Sequence, residues 1–149
     1  MYAIPVTTQC ILNASKAAHL PVPADLGLLA VEGGHLGSVH KNADGSIDYG
    51  PMQVNSRWLP ILAKWHITPA ILIYNGCVNV WVGTLILKHY VDQAGGRIWQ
   101  GIGYYHSHTQ NLYTPYEYSV YRHLRDMNVA DVASLLNRVN TMPQLRNVK

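Results

Sequence analysis

Apolar positions along the chain recur mostly at helical spacing. The pattern predicts a first helix over Thr8–His19, ended by Leu20-Pro21-Val22-Pro23, and a second over Ala24–Glu32, with Gly33-Gly34 just past its end. Leu26, Leu29 and Ala30 give the second helix an inward stripe, and Glu32 falls at its C-terminal edge. From His40 to Val54 the pattern changes. Asn42, Asp44, Gly45, Ser46, Asp48 and Gly50 crowd together, and Asp44-Gly45 is a turn signal, so a small irregular β-hairpin is expected there as the only strand structure. Helices then resume. Asn55 or Ser56 caps one that runs to about Trp65, and Thr68-Pro69 opens a short one closed by Asn75-Gly76. Val78, Val82, Leu85 and Ile86 define a helix that stops at Gly95-Gly96; Ile98–Tyr105, Thr114–Met127 and Asn128–Val139 complete the set. The stretch Ile67–Leu87 is uncharged and long enough to span a membrane. Pro69, Asn75, Gly76 and Asn79 interrupt it, so it reads as two buried helix segments around a turn.

With 149 residues and neither an internal repeat nor a low-complexity linker, the chain is expected to be one domain over 1–149, mostly α (α+β). The hairpin is inserted after the second helix, and residues 143–149 form a flexible tail. Charge adds little: the formal net value is +3 and Lys and Arg are scattered, which argues against a nucleic-acid partner and leaves only a weak pull toward anionic polymers. Phe is absent, whereas the ten Tyr suit a sugar-binding surface, since each ring offers an apolar face and a hydroxyl. Met1–Pro5 carry neither a charged nor a long apolar segment, so no signal peptide is visible; the chain reads as cytoplasmic or as the mature form of an exported protein. Cys10 and Cys77 are compatible with two free thiols or with one bond. His106-x-His108 lacks a Cys or carboxylate at ligand spacing, and His35 and His40 add none, so no metal is expected. Without a phosphate loop or nucleophile elbow, no cofactor is expected either.

Glu32 is the acidic residue least explained by solvation, because it follows Leu28-Leu29-Ala30-Val31. From the residues alone it reads either as an exposed glutamate in a last helical turn or as a carboxyl in apolar surroundings, whose raised pKa suits a general acid.

The run Asn42 to Trp58, with Asp44-Gly45-Ser46, Asp48-Tyr49-Gly50 and Met52-Gln53-Val54-Asn55, resembles the hairpin of lysozyme-like enzymes and begins at the right distance from Glu32. Val31-Glu32-Gly33-Gly34, Gly50-Pro51-Met52-Gln53-Val54-Asn55, Asn75-Gly76-Cys77-Val78-Asn79-Val80 and Gly103-Tyr104-Tyr105-His106-Ser107 are similar to the SLT-type lytic transglycosylases. The likeness is greatest to the specialised members that accompany conjugation, type IV and type III secretion and pilus machines, and it covers roughly Cys10 to Leu124. It implies a lysozyme-like fold and Glu32 as the acid/base. It further implies substrate contacts from Met52, Gln53, Asn55, Tyr105 and His106, and a Cys10–Cys77 disulfide, hence a periplasmic or exported protein. Tyr116 and Trp99 are expected to be packing residues. Three departures stand out: Gly33 where the family has Ser, Pro51 where it has Leu, and Tyr105-His106-Ser107-His108 where it has Tyr-Asn-x-Gly.

The resemblance implies cleavage of peptidoglycan glycan strands by a monomer, with a secretion, conjugation or pilus apparatus as further partner. In that chemistry one carboxyl protonates the bridging oxygen, then takes the proton from the C6 hydroxyl of the same muramyl sugar, leaving a 1,6-anhydro end. Two other readings remain open: a lysozyme-type hydrolase using Glu32 and Asp48, and a non-catalytic wall-binding module. Asp48 is accordingly either a second carboxylate or hairpin scaffold.

Overall fold

The computed structural model describes residues 2–143, so most of the expected tail, from 144 on, lies outside the described residues. Its helices start where the chain supplies a capping oxygen or a proline. The Thr7 hydroxyl accepts from the Cys10 amide at 3.1 Å and opens α1 (Thr8–Ala18), which ends at His19 in the left-handed region. Helix α2 (Val22–Glu32) begins two residues before Ala24 because Pro21 and Pro23 fit a first turn. Strands β1 (Val39–Lys41), β2 (Ile47–Tyr49) and β3 (Val54–Asn55) form one antiparallel sheet in chain order, with Asp48 opposite both His40 and Asn55. The expected hairpin is therefore three-stranded, and a bridge between Ile4 and Asn75 adds a further β contact.

The helix expected from Asn55 to Trp65 is broken into a 3-10 turn (Ser56–Trp58), the four-residue α3 (Leu59–Leu62) and a second 3-10 turn (Ala63–Trp65). Thr68 caps α4 (Pro69–Tyr74), and Asn75 closes it while capping α5 (Gly76–Gln93) through the Val78 amide. Helices α6 (Ile98–His106) and α8 (Val129–Asn140) follow the sequence, α8 behind a reciprocal Asn128–Asp131 capping box. Helix α7 (Gln110–Arg125) does not: it starts four residues before Thr114 and carries Pro115 inside. The Thr109 carbonyl builds its first turn by accepting from Leu112 and Tyr113, and that is enough to seat a proline this near the N-terminus.

Helix α5 explains the uncharged stretch. It packs against α1, α4 and α6, and one face (Val80, Leu87, Val91) joins Ile11, Leu28, Leu29, Met52, Ile102 and Val120 in the main core. The other face (Val82, Ile86, Tyr90) joins Tyr49, Val54, Leu62 and Leu72 under the sheet. A helix apolar on several sides is one buried on several sides, and no described helix is long and apolar enough to cross a membrane. Asn79 is fully buried on α5, where it donates to the Tyr49 and Leu72 carbonyls and accepts from the Met52 amide at 2.8 Å. It thereby fastens the sheet to the helical body. The Cys10–Cys77 disulfide joins the first turns of α1 and α5 with Cα atoms 5.6 Å apart.

Asp25 is buried in the same core. Its Oδ2 accepts from Ser15 at 2.9 Å and Thr84 at 2.8 Å, and its Oδ1 has no partner. Burial raises its pKa from 3.8 to about 6, against the lowering effect of the two hydroxyls. The native protein thus holds a proton that the unfolded chain has already lost between those values. Stability falls as pH rises through this window, and the cost is complete above about pH 6. Asp25→Asn should therefore gain on the wild type by about 2 kcal/mol more at pH 8 than at pH 4. Urea unfolding at both pH values reads this difference, and a pH-independent gap would refute it.

Candidate active site

Helix α2 ends at Glu32 because the next residue, Gly33, takes a left-handed conformation at φ 70°. The sheet then closes on Gly34, where an added Cβ would run into the carbonyl oxygens of Gly50 and Pro51. Two adjacent glycines thus bring the hairpin against the helix end. Between them lies an open cleft of about 440 Å³, lined by Glu32 and Asp48 with Gln53, Asn55, Tyr105 and His106 among others.

Glu32 is half-buried, and the Tyr116 hydroxyl donates to its Oε1 at 2.6 Å. Burial raises the Glu32 pKa from 4.5 to about 7; the Tyr116 bond pulls it down and the Asp48 charge adds to the rise. Its place at the negative end of a helix acts in the same direction as burial. Near neutral pH the carboxyl can therefore give up a proton and take one back. Tyr116, expected to be packing, is instead its direct partner. His106 stacks on the Tyr116 ring at 4.7 Å and 3° between planes, and it lines the same cleft as Glu32. Trp99 is 44% exposed and packs edge-on against Tyr121, outside the cleft.

Asp48 sits across the cleft in a closed amide network. Its Oδ1 accepts from Asn55 at 2.9 Å and its Oδ2 from Asn42 at 3.1 Å. The remaining N–H of each amide goes to the Ser46 hydroxyl at 3.0 Å, and that hydroxyl donates to Asp44 at 2.6 Å. Asn55 further accepts from the Arg57 amide, so its side chain is committed to bracing the hairpin although it lines the cleft. Gln53 adopts a left-handed φ of 52° in the turn before β3 and donates from Nε2 to the Gly50 carbonyl and the Ser38 hydroxyl. Its carbonyl oxygen is left for the cleft.

Met52, expected among the substrate contacts, has a side chain with no exposed surface, packed against Gly83. It is therefore a core residue and not a cleft contact; its carbonyl accepts from the Tyr105 hydroxyl at 2.7 Å. Burial, then the Glu32 charge, pushes the Tyr105 phenol well above its usual value, so it stays a proton donor. His108 stacks on Tyr104 at 4.3 Å, so His106 and His108 serve different partners. Among the described residues no group of three or more His, Cys, Asp and Glu is arranged to hold a metal.

No family model matches the chain. It is similar to the protein named invasion protein IagB of Salmonella typhi, 30% identical over 102 residues, covering 64% of this chain and 63% of that protein. It is also similar to the invasion protein IagB of Salmonella typhimurium strain SL1344, 36% identical over 73 residues, with 49% and 45% covered. A peptidoglycan-binding-like protein of Escherichia coli O157:H7 is 38% identical over 69 residues, with 45% and 41% covered. The chain therefore spans between 41% and 63% of the length of these relatives.

Proposed function

We propose that this chain is a peptidoglycan lytic transglycosylase of the SLT type, with Glu32 as acid and base. The observation that carries this reading is a single half-buried carboxyl with a pKa of about 7, held by Tyr116 at the edge of a cleft whose facing wall is polar. Protonated Glu32 donates its proton to the oxygen between MurNAc and GlcNAc, and the C1–O bond breaks. Positive charge builds at C1 in the field of Asp48. The resulting Glu32 carboxylate then takes the C6 hydroxyl proton as that oxygen bonds to C1. Glu32 is regenerated, no water is consumed, and the new end is a 1,6-anhydro sugar. Asp48 needs no covalent role in this scheme, and both its oxygens already accept amide hydrogen bonds.

The disulfide supports an oxidising compartment, hence export. Similarity to proteins named for invasion supports local opening of the wall for a secretion or conjugation machine. The hydrolase reading is favoured by one observation: Asp48 lines the same cleft as Glu32. Digestion of purified peptidoglycan, with the ends of the muropeptides identified by mass, separates the readings. Wild-type protein should release 1,6-anhydro ends, and Asp48→Asn should keep them at roughly a tenth of the rate, since a general electrostatic contribution and not a bond is lost. Reducing ends from the wild type, with Asp48→Asn inactive, would establish the hydrolase instead. Binding without cleavage by the wild type would leave a wall-binding module.

A further inference from the structure

We propose that the last turn of α8 holds Glu32 at its working position, with Arg138 as a positioning residue for the acid. The inference rests on the reading of Glu32 as acid and base. The argument starts at the end of α2. The last carbonyls of any helix lack partners within it, and Gly33-Gly34 give this end no side chain with which to hold its course. The partners come from α8. Arg138 donates from Nη2 to the Leu29 carbonyl at 2.9 Å and from Nη1 to the Gly34 carbonyl at 3.5 Å. One residue on, the Val139 carbonyl accepts from the Leu36 amide at 2.8 Å. The three anchored positions, Leu29, Gly34 and Leu36, bracket Glu32 on both sides.

The anchor is itself fixed. Val139 has no exposed surface, and the Asn140 amide pairs with both backbone groups of Val6, accepting at 2.7 Å and donating at 2.8 Å. A guanidinium suits the task because its planar fork reaches two acceptors at once, and because a cation is favoured at the negative end of a helix. Arg138 lines a separate groove with Ala30, Met127 and Leu135, outside the cleft, so a substitution there removes none of the side chains that line the cleft.

The direction of a titration shift tests this. Glu32 and Glu117 are the only glutamates, so glutamate labelled with ¹³C at the carboxyl gives two signals. The groups facing Glu32 (Tyr116, Asp48, Tyr105 and His106) are unaltered in the variants. Removing a cation would by itself raise the Glu32 midpoint, whereas releasing the turn admits water and lowers it. In Arg138→Ala the midpoint should fall by about one unit, and kcat for cleavage by about tenfold with KM within twofold. Arg138→Gln, which keeps a helix-compatible stem without the fork, should shift the same way and serves if the alanine variant does not fold. An unchanged or raised midpoint in either folded variant would overturn the proposal. Absence of cleavage by the wild type would remove the functional reading, while the titration still decides whether Arg138 holds the carboxyl.

Discussion

Glu32→Gln should lose cleavage of purified peptidoglycan by 10²-fold or more while remaining folded. A positioned acid/base contributes typically about 10²–10⁴-fold, and in the proposed scheme one carboxyl serves both halves of the reaction. The amide keeps the shape and can still accept from Tyr116, so the pocket should persist. It cannot donate a proton to a leaving oxygen. Stability works in favour of the test. The folded pKa of Glu32 is raised from 4.5 to about 7, so its ionisation opposes folding as pH rises through that window. Glu32→Gln should therefore be as stable as the wild type at pH 5 and more stable at pH 8, by something on the order of 2–3 kcal/mol. The wild-type rate should decline as pH rises through about 7, because the first step needs the protonated acid. Appreciable turnover by a folded Glu32→Gln protein would remove the assignment, whatever the products.

The second large effect is on stability. Replacing both Cys10 and Cys77 by Ser should cost about 4 kcal/mol in the chain-entropy account, because the bond closes a loop with a sequence separation of 67. For a domain of this size that corresponds to a fall of roughly 10 °C in Tm. The bond joins α1 to α5, whose Asn79, two residues beyond Cys77, fastens the sheet. Below the transition, however, neither cysteine lines the cleft, so activity at 20 °C should stay within about twofold of the wild type. Calorimetry of oxidised wild type and the double variant measures the difference. Equal melting temperatures would show that the bond contributes nothing in solution.

What the chain alone determined are features set by local chemistry. Helix starts at Thr68 and Asn128 and the end of α2 at Gly33 were legible because capping oxygens and left-handed glycines act within a few residues. Glu32 stood out for the same reason, as a carboxyl at the end of an apolar turn. Along Met52-Gln53-Val54-Asn55 the side chains alternate, Met52 and Val54 buried and Gln53 and Asn55 lining the cleft, but a left-handed turn at Gln53 produces half of that pattern. The tertiary structure alone decided which distant groups meet. Tyr116 is 84 residues from Glu32, on a helix whose start was placed four residues late, and no periodicity says that its hydroxyl reaches that carboxyl. Met52 moved from the cleft to the core because Gly83 leaves it room. The buried junction at Asn79 and the Arg138 fork are of the same kind. Each depends on how helices and sheet pack in three dimensions, and a hydrogen bond between residues 27 or 109 positions apart leaves no trace in the order of the residues.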